Sequence, residues 1–182
     1  RTQQLPDWIE SHIHTFEYLG GVAEILSPDN LKSGVTRPCW YDPDVNKTYA
    51  DMARHYGTAV LPRRVKKPRD GAKVETGVQI VERQILARLR NRTFFSLHEL
   101  NRAIWELLDR VNDRPFQKLD YSRRELFEEL DKPALKALPT SRYEFAEFPT
   151  PTVNIDYHID VLGHYYSVPF NLKGQKVDVR LT

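Results

Sequence analysis

The 182 residues are 40% hydrophobic and 29% charged, the balance of an ordinary soluble globule with one substantial core and a small appendage, which excludes a disordered tail as the first reading. Lys and Arg total 27 against 25 Asp and Glu, so a net charge of +2 argues for a polyanionic partner only if the basic residues are locally concentrated. The single Cys39 excludes an internal disulfide and a two-cysteine zinc site, and with no apolar run of membrane-spanning length and no basic-then-apolar leader the expectation is a cytoplasmic protein without a membrane partner.

The chain opens at Arg1 without methionine and enters a helical pattern at Pro6, so it reads as a piece of a longer polypeptide. Ile9, Ile13, Phe16 and Leu19 recur at helical spacing between Leu5 and Leu19, and Gly20-Gly21 supplies a stop. Val22 to Leu26 then reads as a short buried strand closed by the turn residues Ser27-Pro28-Asp29-Asn30. A second helix is expected from Asn46, its cap, to Tyr56, followed by a strand Thr58 to Leu61 that ends at Pro62.

Residues 62 to 73 carry six basic side chains, Arg63, Arg64, Lys66, Lys67, Arg69 and Lys73, with two prolines that discourage helix, so an exposed basic loop is expected. Val74, Val78, Val81, Ile85 and Leu89 mark a long amphipathic helix with Glu75 in its first turn and a second basic set at Arg83, Arg88, Arg90 and Arg92. Two more helices follow, from Ser96 to Asn112 and from Ser122 to Leu130, the latter opened by the Ser122/Glu125 capping-box pattern. Trp8, Phe94, Phe95 and Trp105 are expected in cores. Four prolines between Lys132 and Pro151 suggest a linker, and alternation from Val153 to Val161, a turn at Gly163-His164 and apolar runs at 165–169 and 176–181 suggest a small β module.

Asp29 at the carboxyl end of a strand and Glu75 on a helix are carboxylates of the kind that share divalent cations through hard oxygen ligands. Pattern alone leaves the plainer alternative open and favours it, with Asp29 a turn residue and Glu75 a first-turn acid matched to the helix dipole. The basic loop leads directly to Glu75, which would set cations beside a phosphate held there, supplying affinity and position rather than base readout.

Four segments in order, Glu24-Ile25-Leu26-Ser27-Pro28-Asp29-Asn30-Leu31-Lys32-Ser33, Lys67-Pro68-Arg69-Asp70-Gly71-Ala72-Lys73-Val74-Glu75, Arg92-Thr93-Phe94-Phe95-Ser96-Leu97, and Val153-Asn154-Ile155-Asp156-Tyr157-His158 with Gly163 to Pro169, resemble the IstA-type insertion-sequence transposases. These are DDE recombinases, and the likeness extends over nearly the whole chain. The resemblance implies a partial RNase-H-like, integrase-type α/β core with a helical extension over 1–131, a linker over 132–151, and the start of a β-barrel-like module over 152–182. It makes Asp29 the second and Glu75 the third acid of a triad holding two Mg²⁺ ions, with Mn²⁺ a substitute, for DNA cleavage and strand transfer at element ends.

The family's first Asp lies on an early strand, which is not found before the first helix, and Asp7 does not replace it. The isolated chain is therefore expected to be inactive. The resemblance further implies DNA as partner, a homo-oligomeric synaptic complex, an ATPase helper and a bacterial, nucleoid-associated setting. The competing expectations are a non-catalytic DNA-binding or assembly fragment, and an RNase-H-type nuclease acting on RNA, which would not need the β module.

Overall fold

In the computed structural model, which describes residues 4–28, 35–37, 44–62 and 72–182, helix α1 spans Leu5–Leu19. Pro6 in its first turn gives up an amide that a helix start leaves unbonded, and Gly20 ends it at φ 70°, a left-handed conformation that costs glycine least. Ile9, Ile13 and Phe16 form its buried stripe, as the spacing predicts.

Helix α2 (Lys47–His55) starts where the Asn46 side chain accepts hydrogen bonds from the Thr48 and Tyr49 amides, at 3.0 and 3.4 Å. Its buried face, Tyr49, Met52 and the following Tyr56, meets the α1 stripe, with Val22 and Tyr143 completing the core. Strand β1 (Ile25–Leu26) pairs in parallel with β4 (Ala59–Val60), and β2 (Val35–Arg37) pairs antiparallel with β3 (Asp44–Val45). The expected strand from Val22 is thus shorter than its apolar run. Only Ile25 and Leu26 pair with β4, because in the parallel register the residues before Ala59 belong to the turn that ends α2, and half-exposed Ile25 corrects the expectation of a buried strand.

The 132–151 segment is a connection packed onto this core. Val22 and Lys136 exchange two backbone hydrogen bonds of 2.9 Å, and the Lys136 Nζ donates to the Gly57 carbonyl. Arg142 reaches back to Glu10 and Glu17 of α1, holding the Glu10 carboxyl below its ordinary range chiefly through their hydrogen bond. Buried Tyr143 donates to Asp51 at 3.0 Å. Its phenol is pushed up to about 12 by burial first and then by the Asp51 carboxylate.

Asp51 also accepts from Arg180 Nε at 3.0 Å, and Lys47 pairs with Asp178, so the C-terminal residues are fastened to α2. Asp51→Asn should leave Arg180 without its counter-charge and weaken a part-buried hydrogen-bond pair, costing about 1–3 kcal/mol. Amide hydrogen exchange at Glu147 and Leu181, which bond each other across this junction, should accelerate relative to the α1 core. Unchanged exchange there would mean that the ion pair does not fasten the module.

His12 sits in the aromatic corner between Trp8 and Tyr49, with ring centroids 4.4 and 5.3 Å away. Its Nδ1–H donates to the Trp8 carbonyl at 2.9 Å, leaving Nε2 to accept from the Tyr49 hydroxyl at 3.3 Å. Burial, only partly opposed by the backbone bond, lowers its pKa. The folded state therefore favours neutral imidazole while the unfolded chain protonates near about pH 6.5. This contribution to stability is complete above that pH and is lost as pH falls through the folded-state value. The thermal midpoint should drop more steeply between about pH 7 and 5 in wild type than in His12→Gln, and parallel pH profiles would count against it.

Beyond the core, α3 (Ala72–Val81) continues through a π turn (Glu82–Leu86) into α4 (Ala87–Leu89), and α5 (Leu97–Asp113) folds back along the π turn and α4. Ile85, Leu89 and Ala103 are buried between them. No residue of α3 is buried, so Val74, Val78 and Val81 are exposed despite their helical spacing. The Ser122/Glu125 capping box forms in both directions and opens α6 (Arg123–Leu126), which runs on as a π turn (Phe127–Asp131). Phe95 and Trp105, expected in cores, are exposed: Phe95 precedes the Ser96 cap with its amide bonded to Glu99, and Trp105 packs at the surface against Tyr18.

The C-terminal residues form the hairpin of β5 (His158–Val161) and β6 (His164–Ser167) around a third cluster, Val153, Ile159 and Val161. Val177 and Val179 donate to the carbonyls of Pro151 and Pro149, which have no amide to return, so the pairing of 147–153 with 175–181 stays an irregular ladder. One expectation is corrected here. The alternation from Val153 breaks at a turn near Tyr157, whose φ is 61°, and no closed barrel forms among the described residues. The described fold is mixed α/β with a helical extension, and none of its helices is long and apolar enough to cross a membrane.

Candidate metal and nucleic-acid site

The parallel β1/β4 pair organises the candidate site. Ala59 N–H donates to the Glu24 carbonyl at 2.9 Å and Leu61 N–H to Leu26 at 2.8 Å, so both strands run the same way and end side by side. Chain continuity then matters: β1 leads through Pro28 to Asp29, and β4 leads through Pro62 to Arg63. In open α/β sheets the carboxyl ends of parallel strands are the usual place for ligand chemistry, because loops diverge there and leave a crevice.

Asp29, Arg63, Arg64, Lys66, Lys67 and Arg69 lie outside the described residues, while Lys73 and Glu75 are within them, both exposed in the first turn of α3. Among the described residues, no hydrogen bond or ion pair engages the Glu75 carboxylate. Its oxygens are open to a hard cation. No three His, Cys, Asp or Glu side chains converge as a metal site among the described residues. A set completed by Asp29 would include a residue outside those described.

Sequence reasoning passed over Arg110, Arg114 and Lys118, which the fold gathers with Arg88 at one groove between α4, α5 and the loop that follows. Their spacing gives no run of charge. Only the Arg114-Pro115-Phe116-Gln117-Lys118 stretch, basic residues about an aromatic, carried any signal.

The class to which this chain is similar is the transposases of insertion sequences. It is 55% identical over 182 residues to the Burkholderia multivorans protein described as "Putative transposase for insertion sequence IS408", covering all of this chain and 35% of that protein. A Sinorhizobium fredii protein, "Putative transposase y4bL/y4kJ/y4tB", is 52% identical over 181 residues, again 35% of its length. The "Transposase for insertion sequence element IS21" of Pseudomonas aeruginosa is 29% identical over 177 residues, 95% of this chain and 44% of that one. Residues 138–182 match the family described as Mu transposase, C-terminal domain. The chain thus spans 35% of the length of the first relatives it matches.

Proposed function

We propose that this chain is part of the catalytic region of a DNA transposase of the IstA type, acting in strand cleavage and strand transfer at the ends of an insertion sequence. The observation that carries the reading is the parallel β1/β4 pair, whose carboxyl ends lead to Asp29 and to the basic loop, followed by Glu75 on an exposed helix start. Similarity to transposases along the whole chain supports it. The parallel pair with α1 and α2 is taken as part of an RNase-H-like core.

In this reading Asp29 and Glu75 are two acids of a DDE triad that would hold Mg²⁺, or Mn²⁺ in its place. Their hard oxygen donors fit such a cation, and Glu75 has no competing partner among the described residues. The bound cation supplies charge neutralisation at the scissile phosphate and favours the deprotonated nucleophile. The chain's own part is to fix those carboxylates and to hold the DNA. Arg63, Arg64, Lys66, Lys67, Arg69 and Lys73 bind phosphates next to the reacting one. A water oxygen, and later a DNA 3′-hydroxyl, attacks phosphorus in line while the opposite P–O bond breaks, so no covalent enzyme intermediate forms. A homo-oligomeric complex on two DNA ends and an ATPase helper belong to the same proposal.

The test is a strand-transfer assay of the full-length protein on labelled element-end DNA with Mg²⁺, comparing wild type with Asp29→Asn and Glu75→Gln. Loss of joining in both variants with DNA binding retained is the expected result. Joining near the wild-type rate in either would leave a non-catalytic DNA-binding or assembly role as the better reading.

A further inference from the structure

A groove lined by described residues lies away from Glu75, along the far half of the helical extension. It encloses about 580 Å³, within the range of roughly 300–1,000 Å³ typical of ligand sites. Leu107, Val111, Phe116 and Leu119, with Ile80 from the end of α3, give it an apolar floor. Arg88, Arg110, Arg114 and Lys118 stand at its rim, and no carboxylate lines it.

The rim gathers cations without a counter-charge among the described residues. Glu10 and Glu17, Asp51 and Asp178 each hold an arginine or lysine elsewhere on the surface. By contrast, no ion pair engages Arg88, Arg110, Arg114 or Lys118 among the described residues; Arg88 bonds only the neutral Gln84 amide, at 3.1 Å. Two acids of the same helix, Asp109 and Asp113, both bind Arg124. Arg123 is held against the floor, 4.7 Å above the Phe116 ring and donating to the Val111 carbonyl. Four cations left unpaired around one apolar floor repel one another and are matched by a ligand with several negative charges and flat apolar faces.

We infer that this groove binds an unpaired DNA strand, with phosphates on the cationic rim and base faces on the floor. A duplex buries its base faces in its own stack and offers only phosphates and sugar edges, which would leave the floor uncovered. An unpaired strand offers both chemistries at once, and base contacts of this kind tolerate any sequence. The inference rests on the transposition reading above for the choice of DNA as ligand. A strand displaced or left overhanging at a cut end would reach this groove along α3, since Ile80, Gln84 and Arg88 of the groove follow Glu75 on one continuous helical rod.

The test is fluorescence anisotropy with the full-length protein, using a labelled single-stranded oligonucleotide and a blunt duplex of the same sequence. The triple variant Arg110→Ala, Arg114→Ala, Lys118→Ala removes exposed side chains that have no ion pair among the described residues, so the fold is spared. It should bind the single strand about tenfold or more weakly, with a log-log salt slope shallower by about 2, at about 0.7 per lost phosphate contact, and the duplex within about twofold of wild type. Leu119→Ser should weaken single-strand binding severalfold while leaving the salt slope unchanged.

Wild-type single-strand affinity in the triple variant overturns the inference, as does an equal loss for both probes. Groove-dependent binding of an acidic amphipathic peptide without single-strand binding also overturns it, in favour of a protein partner. Failure of wild-type protein to bind or join element-end duplex is a separate result that removes the transposition reading itself.

Discussion

Glu75→Gln in the full-length protein is expected to lower strand joining at least about 100-fold, since altering even the partners behind a metal ligand commonly costs about 10–100-fold and a direct ligand should cost no less. Glutamine keeps the shape and one carbonyl oxygen but removes the charge that a divalent cation requires. The same substitution should leave folding almost untouched. Glu75 is exposed and without a partner among the described residues, and it gives the fold only the helix-dipole benefit of a first-turn acid, about 0.3–1 kcal/mol. A thermal midpoint within about 3 °C of wild type is therefore the companion expectation, given about 2–4 °C per kcal/mol for a chain of this size. Lys73→Gln, two residues earlier in the same exposed turn, should weaken DNA binding at low salt more than it slows the joining step. Normal joining by Glu75→Gln would refute the ligand role, whereas joining lost together with the thermal midpoint would make Glu75 a structural residue.

The position of Glu75 also explains how the helical extension bears on the site. The helix is anchored at its other end, where Ile85 and Leu89 pack against α5, and Glu75 lies ten residues before Ile85, about 15 Å along the axis. The π turn at Glu82–Leu86 falls at the start of that anchored stretch.

What the sequence discloses is mainly local. The bounds of α1 and α2, the Asn46 cap and the Ser122/Glu125 box depend on residues within one turn of each other, and all stand in the structure as the pattern predicts. Contacts between residues far apart are not encoded in periodicity. Nothing local marks Lys136 as the partner of Val22, or Tyr143 and Ala146 as buried, in a segment whose four prolines suggest only a connection. The valines of α3 show the reverse failure: their spacing reports an apolar face but not whether anything covers it. The irregular ladder of the β module was not legible because strand propensity ignores the amides that Pro149 and Pro151 lack. For the site, paired carboxylates were legible only as one pattern among several acids. Resemblance singled out Asp29 and Glu75, and of the two only Glu75 falls among the described residues. Of the groove cations only Arg88 was legible, as part of a basic helix face; Arg110, Arg114 and Lys118 join it only once α5 folds back.

Gly21→Ala should be among the most destabilising single-methyl changes in this chain. The backbone of Gly21 has no left-handed requirement, so the cost is one of space: a Cβ there would lie 2.7 Å from the Leu135 Cβ and 2.9 Å from the Lys136 carbonyl oxygen. Both are fixed parts of the 132–151 segment and cannot swing aside as the tip of a long side chain would. Relief requires the segment to move off α1, which stretches the two 2.9 Å hydrogen bonds between Val22 and Lys136 and disturbs fully buried Val22. Overpacking of this kind costs about 1–3 kcal/mol, and weakening the two bonds adds about 1 kcal/mol. The thermal midpoint should fall by about 5–15 °C. Gly77→Ala is the informative contrast, since a Cβ at that exposed α3 position meets nothing within 4 Å and alanine is the better helix former by about 1 kcal/mol, so the same methyl group should stabilise. Calorimetric melting of the two variants beside wild type decides the matter: opposite shifts support close apposition of Gly21 and Leu135, and a Gly21→Ala midpoint within about 2 °C of wild type would show that the segment does not press on the end of α1.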